Sequence, residues 1–254
     1  MQVKTIALNT FRETIRDRIL YSLLVFAVLM IGLSYFLSEL SVGDFERIVI
    51  NFGLACVHVF GAIISIFIGI TLVSKEVEKR TIYSLISKPV SRFQFLLGKF
   101  LGLSLTVFVT TLLMSVVSVL IVYLQSGNFR AELFPVAGAI YLELLLLIAA
   151  SIFFSSFTTP TLSAIFSLSL FLIGHLSPQL RFFGMKAKSA FLKGAALATY
   201  YLLPNLENFN LKNVVLYGVK VDGGRVLLMF GYFALYFAIL MTLSWVIFSR
   251  RDFK

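Results

Sequence analysis

Six long apolar stretches constrain this chain more than any other feature it has. They run approximately over Leu20–Ser38, Asn51–Val73, Phe100–Leu124, Pro135–Ser155, Thr161–Leu176 and Val226–Phe248. A hydrocarbon core about 30 Å thick takes roughly 20 apolar residues per helical crossing, so the stretches read as six transmembrane helices. The fourth and fifth form one apolar region, divided by Ser155-Ser156-Phe157-Thr158-Thr159-Pro160, where polar residues and a proline suit a short turn. Composition agrees: 59% of the 254 residues are hydrophobic and 13% charged, against about 25% charged in soluble domains. An ordinary soluble enzyme is excluded. The expected fold class is an all-α integral membrane protein, and without a linker or internal repeat residues 1–254 read as one domain.

The segments between the spans carry the charge. Residues 1–19 have a helical period, with Leu8, Phe11, Ile15 and Ile19 on one face and Gln2, Asn9, Glu13 and Arg16 on the other. This pattern suits an amphipathic helix in the membrane interface ahead of the first span; the plainer alternative is a charged flank that only orients it. No small-x-small site follows a short apolar region, so a cleaved signal is not expected. Lys and Arg collect in the N-terminal segment, in the loop between spans two and three, and in the tail at Arg250, Arg251 and Lys254. The positive-inside rule places all three in the cytoplasm, with both termini inside. Residues 177–225 then fall outside, as an extracytoplasmic segment, although they hold Arg181, Lys186, Lys188, Lys193, Lys212, Lys220 and Arg225. Within them Ala190–Leu203 is apolar but short for a span and closes at Pro204, which suits an interfacial or re-entrant helix. The net charge is +10. Because the basic residues flank apolar runs, they are assigned to anionic headgroups of the lipid bilayer and not to nucleic acid.

Motifs for catalysis are missing. The sequence has no G-x-x-x-x-G-K-[ST] phosphate loop, no H-E-x-x-H and no G-x-S-x-G. Cys56 is the single cysteine, and His58 and His175 are the only histidines, so no metal site is expected within the chain. No catalytic residues are assigned, and the chain is not expected to be an enzyme or to bind a cofactor itself. Glu143 stands out, because a charge at the bilayer centre costs about 2.5 to 3.5 kcal/mol on insertion scales. Glu143 lies about eight residues into span four and His58 about seven into span two, and both spans run inward, so the two sit at similar depth. They either form an intramembrane polar site, paired across helices or lining a path, or they are separately satisfied packing residues. The second reading is preferred, because equal depth does not establish adjacency. Gly61, Ser65 and Gly69, and Thr111, Ser115 and Ser118, are stripes of small residues read as helix packing within the chain. Tyr200, Tyr201 and Trp245 read as interface anchors.

The loop over 74–99 is the most informative segment. Charges crowd its start at Glu76, Glu78, Lys79 and Arg80; Ile82, Leu85 and Ile86 share a helical face; Pro89 stops the helix. Such a helix suits a groove on a cytoplasmic partner, or equally a lipid surface. Here the sequence resembles the type 2, exporter-type permease family of ABC transporters. The residues that carry the resemblance are Glu76, Glu78, Lys79, Thr81, Leu85, Ser87, Pro89, Val90, Ser91, Arg92, Leu97, Gly98 and Lys99, together with Tyr201-Leu202-Leu203-Pro204-Asn205 before the last span. Arg80 replaces the family's usual glycine beside the threonine. Short six-span members, such as the copper-maturation permease of the nitrous oxide reductase system and gliding-motility permeases, are the most similar.

The resemblance implies a dimer with a second permease protomer, in a prokaryotic plasma membrane, coupled to separate ABC ATPase subunits that bind ATP and Mg. The coupling residues it implies are Glu76, Glu78, Lys79, Arg80, Thr81, Ile82, Leu85, Ile86, Ser87, Pro89, Ser91 and Arg92. Export is the implied direction. Two other functions stand beside it. One is a mechanotransmitting subunit acting on an extracytoplasmic partner without moving solute. The other is a membrane-embedded lipid enzyme using Glu143 and His58, which the lack of a clustered polar motif disfavours.

Overall fold

The computed structural model describes residues 2–39, 45–78, 91–212 and 222–250, with the backbone alone for 45 and 72–78. Among these the chain is all α. It comprises α1 (Gln2–Ile15), α2 (Arg18–Glu39), α3 (Phe45–Glu78), α4 (Arg92–Ser126), α5 (Leu133–Ser155), α6 (Pro160–Lys186), α7 (Ala190–Leu202) and α8 (Gly223–Arg250), with a 3-10 turn at Leu206–Phe209. Six of the helices, α2 to α6 and α8, are long and apolar enough to cross a membrane.

α5 is the centre of the bundle. Leu144, Leu146, Leu147, Ile148, Ala149 and Ala150 are sealed from solvent on every side of the helix, as expected of a helix that is hydrophobic all round. It packs against α3, α4, α6 and α8. The contact with α3 is made by glycines: a Cβ on Gly61 would lie 2.7 Å from Leu144 Cδ1, and one on Gly69 2.7 Å from Ser151 Cβ. Lipid offers no hydrophobic drive between helices, so close approach through small residues supplies the packing. A Cβ on Gly53 would likewise lie 3.2 Å from Ser118 Oγ of α4, while Ser115 and Ser118 donate their hydroxyls back to their own helix, to Thr111 O and Met114 O. Both small-residue stripes therefore pack inside one protomer.

α5 and α6 part where the polar turn is expected. The Thr158 and Ser163 hydroxyls hydrogen-bond at 2.6 Å, and Pro160 opens α6, a position where its missing N–H costs nothing. The fifth span differs from expectation. The apolar run ends at Leu176, yet α6 continues through Pro178 to Lys186, because loss of hydropathy does not end a helix whose backbone bonds continue. α7 follows as a separate short helix that packs on α6 and has no buried residue.

α1 docks on the bundle with a face that its apolar period does not single out. Thr10 and Thr14 are buried, Thr10 over Gly102 of α4, whereas Leu8 is exposed and Phe11 and Ile15 are half-buried. The seat on α4 is again glycine: a Cβ on Gly98 would meet Ile6 at 2.8 Å, and one on Gly102 would meet Thr10 at 2.5 Å. The small, β-branched side of α1 docks on protein, and the apolar stripe found by periodicity stays turned outward.

Candidate functional site: a buried ionic chain

Each residue of the site is positioned by one of the contacts above. Gly61 brings α3 onto α5, and His58, one turn earlier, meets Glu143, the neighbour of Leu144. His58 Nε2 lies 2.8 Å from Glu143 Oε1. On α6 the equivalent device is Gly174, where a Cβ would meet Leu206 at 2.6 Å and Pro204 O at 3.0 Å. That gap lets the chain after α7 return into the bundle over residues 204–212, with Leu206, Phe209 and Leu211 buried in the common core. His175, next to Gly174, places Nε2 2.9 Å from the same Glu143 oxygen. The returning segment closes both ends: Glu207 Oε2 is 3.3 Å from His175 Nδ1, and Lys212 Nζ is 3.1 Å from His58 Nδ1.

The segment is itself well tied. The Asn205 side chain accepts from the Glu207 N–H at 3.1 Å, and its own N–H donates to the Tyr232 hydroxyl on α8 at 2.6 Å. Asn210 donates to Glu207 Oε1 at 2.7 Å and accepts from the Lys212 N–H at 3.1 Å. Phe171 packs edge-on against both imidazoles, whose centroids are 4.8 Å apart.

Proton placement follows from which groups can donate. An ammonium only donates, so with Lys212 charged His58 accepts at Nδ1 and donates from Nε2 to Glu143. His175 lies between two carboxylates. With both ionised it donates from both nitrogens and carries a positive charge. The sum is two negative and two positive charges, a neutral chain of five side chains in a place where Glu143 is only 1% exposed. A buried charge is tolerated when it is paired and hydrogen-bonded, and removal of one partner strands the rest. The hydrogen bond from His175 holds Glu207 below the usual carboxylate range, while burial lowers the Lys212 ammonium from its ordinary value.

His58, Glu143 and His175 each bring one potential ligand atom to within 4.8 Å of the other two. Two imidazoles and a carboxylate are donors that zinc or iron(II) accepts, and Glu207 behind His175 is the outer carboxylate such a ligand takes. His58 is backed instead by the Lys212 ammonium, which opposes a bound cation. The site is therefore better matched to its own tethered charges than to a metal.

Of the residues singled out from sequence, His58 and Glu143 meet directly, and the structure adds His175, Glu207 and Lys212. His175 is at the very end of the fifth apolar run. Glu207 is the only acid between Glu143 and Asp222, and that isolation among basic residues is the signal the sequence carries for it. Of the loop residues, Lys79, Arg80, Thr81, Ile82, Leu85, Ile86, Ser87 and Pro89 lie outside the described residues, and Glu76 and Glu78 close α3 as backbone. Ser91 and Arg92 are described. Ser91 caps α4 in a reciprocal pair with Gln94, and Arg92 donates to Phe248 O at 2.6 Å and Ser249 O at 2.9 Å, clasping the end of α8.

Six apolar helices around a charge-paired centre, closed by a returning segment, define an integral membrane protein of the permease class. The family model described as ABC-2 family transporter protein matches residues 4–253, and the chain belongs to that family. It is thus the membrane component of an ABC transporter. No curated protein matches the chain.

Proposed function

We propose that the chain is one half of a permease dimer that exports its cargo, driven by separate ATPase subunits that bind ATP and Mg and dock on residues 76–92. Family membership supports the partner class. The observation that carries the reading is the anchoring of that loop at both ends. α3 enters it directly from His58, twenty residues and about 30 Å earlier. α4 leaves it through the Ser91 cap, the Arg92 clasp on α8 and the glycine seat for α1. A push on the loop would therefore reach α1, α3, α4 and α8 together. Drawing α3 along its axis would part His58 from Glu143 and Lys212, so the ionic chain acts as a closure midway along the spans. The Lys and Arg distribution supports a cytoplasmic location for the loop and both termini.

Co-expression with candidate ATPase subunits tests the docking. L85E/I86E should abolish co-purification and ATPase stimulation while the monomer keeps its thermal unfolding profile. Full assembly of that variant would remove residues 76–92 from the interface. E143Q tests the closure: assembly with the ATPase should persist while ATP turnover loses its link to transport, and unchanged coupled transport would deny the charge any role.

A second reading has one observation in its favour. Residues 204–212 are pinned to α3, α5 and α6, so motion of these helices would reach the segment beyond α6 and an extracytoplasmic partner there. ATP turnover that moves the partner without moving cargo would select this mechanotransmitting role.

A further inference from the structure

The hairpin formed by the end of α6 and by α7 lies outside the ionic chain and belongs to no core. We propose that it is an anionic-lipid clasp, seated in the headgroup layer with its cations on phospholipid phosphates. α7 is 13 residues long, about 20 Å, too short to span a bilayer, and none of its residues is buried. Its one packed side rests on α6, where a Cβ on Gly184 would come within 2.7 Å of Ala196 Cβ. The opposite side presents Phe191, Ala195, Ala198 and Leu202 at helical spacing, all exposed, with Phe191 at 81% and Leu202 at 79%. Phe182 and Phe183 of α6 are exposed beside it. An apolar stripe of this size on a short helix needs a cover.

Charge identifies the cover. Arg181, Lys186, Lys188 and Lys193 are all exposed on the hairpin, and no Asp or Glu occurs between Glu143 and Glu207. The cations are interleaved with rings: Lys186 Nζ is 4.0 Å from the Phe182 centroid, and the Arg181 guanidinium 5.3 Å from that of Tyr200. Long cationic side chains that lie along apolar surface and end at phosphate level are the habit of an interfacial helix. A second copy of the chain fits less well, because a two-fold contact would face four cations with four more and no acid between them. Zwitterionic lipid would satisfy the stripe but leave the cations without the net counter-charge that an anionic surface supplies.

The test uses the full chain with F191W in a W245F background, which leaves one tryptophan, on the exposed stripe. It is reconstituted in phosphatidylcholine vesicles carrying the same mole fraction of either brominated phosphatidylglycerol or brominated phosphatidylcholine. Quenching by the brominated anionic lipid should be about twofold stronger. R181Q/K186Q/K188Q/K193Q should equalise the two lipids while the protein elutes and unfolds as before. High salt, applied to the unmutated cations, should weaken the preference in the same direction. Equal quenching at low salt would overturn the anionic preference. No quenching by either lipid would overturn the clasp, and a cross-link at position 191 between two copies would replace it with a protomer contact.

Discussion

α5 and α8 have nearly the same hydropathy, 2.3 and 2.2 over their most apolar windows, yet 83% of the first window is buried inside the protein and 11% of the second. In water this contrast would be decided by hydrophobicity. In lipid it cannot be, because a leucine loses little by facing acyl chains instead of another helix. The difference lies in what else each helix carries. α5 offers Glu143, which must find partners, and surfaces that Gly61 and Gly69 of α3 can approach. α8 offers large side chains, with Leu227, Leu228 and Leu235 exposed, and meets the bundle through Tyr232, Met241 and Phe248.

The contrast can be broken most severely at its polar centre. E143A leaves His58 and His175 without their common partner and cuts the chain between Glu207 and Lys212. It should cost about 3 to 5 kcal/mol, read as the loss of the folded fraction in denaturant titration of the detergent-solubilised protein. Next comes packing. L144A on α5 should cost on the order of 2 to 5 kcal/mol, as a cavity in a filled core does, and L235A on α8 much less; equal losses in the same titration would mean that α8 is as enclosed as α5. G174V would drive a side chain into Leu206 and Pro204, with a cost of about 1 to 3 kcal/mol. Because it acts on the returning segment, it should raise protease cleavage within 204–212 before it affects global unfolding.

The smallest effect is the pH dependence of the same segment. Glu207 is held below its ordinary value of 4.5 by its bond to His175. A carboxylate depressed in the folded state stabilises it fully above that ordinary value, and the contribution is lost as pH falls through the depressed folded value. The thermal midpoint should therefore drop more steeply below pH about 4.5 in the wild type than in E207Q. Parallel curves would show that Glu207 contributes no linked stability.

Much of the architecture was legible because lipid imposes length. The six spans and the polar turn before Pro160 follow from runs of apolar residues and from the turn chemistry between them. The ends were less legible: α6 runs ten residues past Leu176, since hydropathy reports the solvent and not the backbone bonding. The docking face of α1 was missed for a related reason. Periodicity finds the greasy stripe, but the contact with α4 selects the side that fits over Gly98 and Gly102. For the site, depth along the helices put His58 and Glu143 on a level, Glu207 was marked only as the isolated acid between Glu143 and Asp222, and His175 and Lys212 had no signature of their own.

Sequence alone determined that this chain is a six-span membrane protein with His58 and Glu143 at similar depth, because both follow from apolar length and helical rise; it favoured separate satisfaction of the two, and the structure pairs them directly. Only the tertiary structure decided which helix is central and that residues 204–212 return to supply Glu207 and Lys212. Those outcomes depend on rotation and close approach of whole helices, set by glycines and by the balance of charge across five side chains, and no local window of sequence contains them.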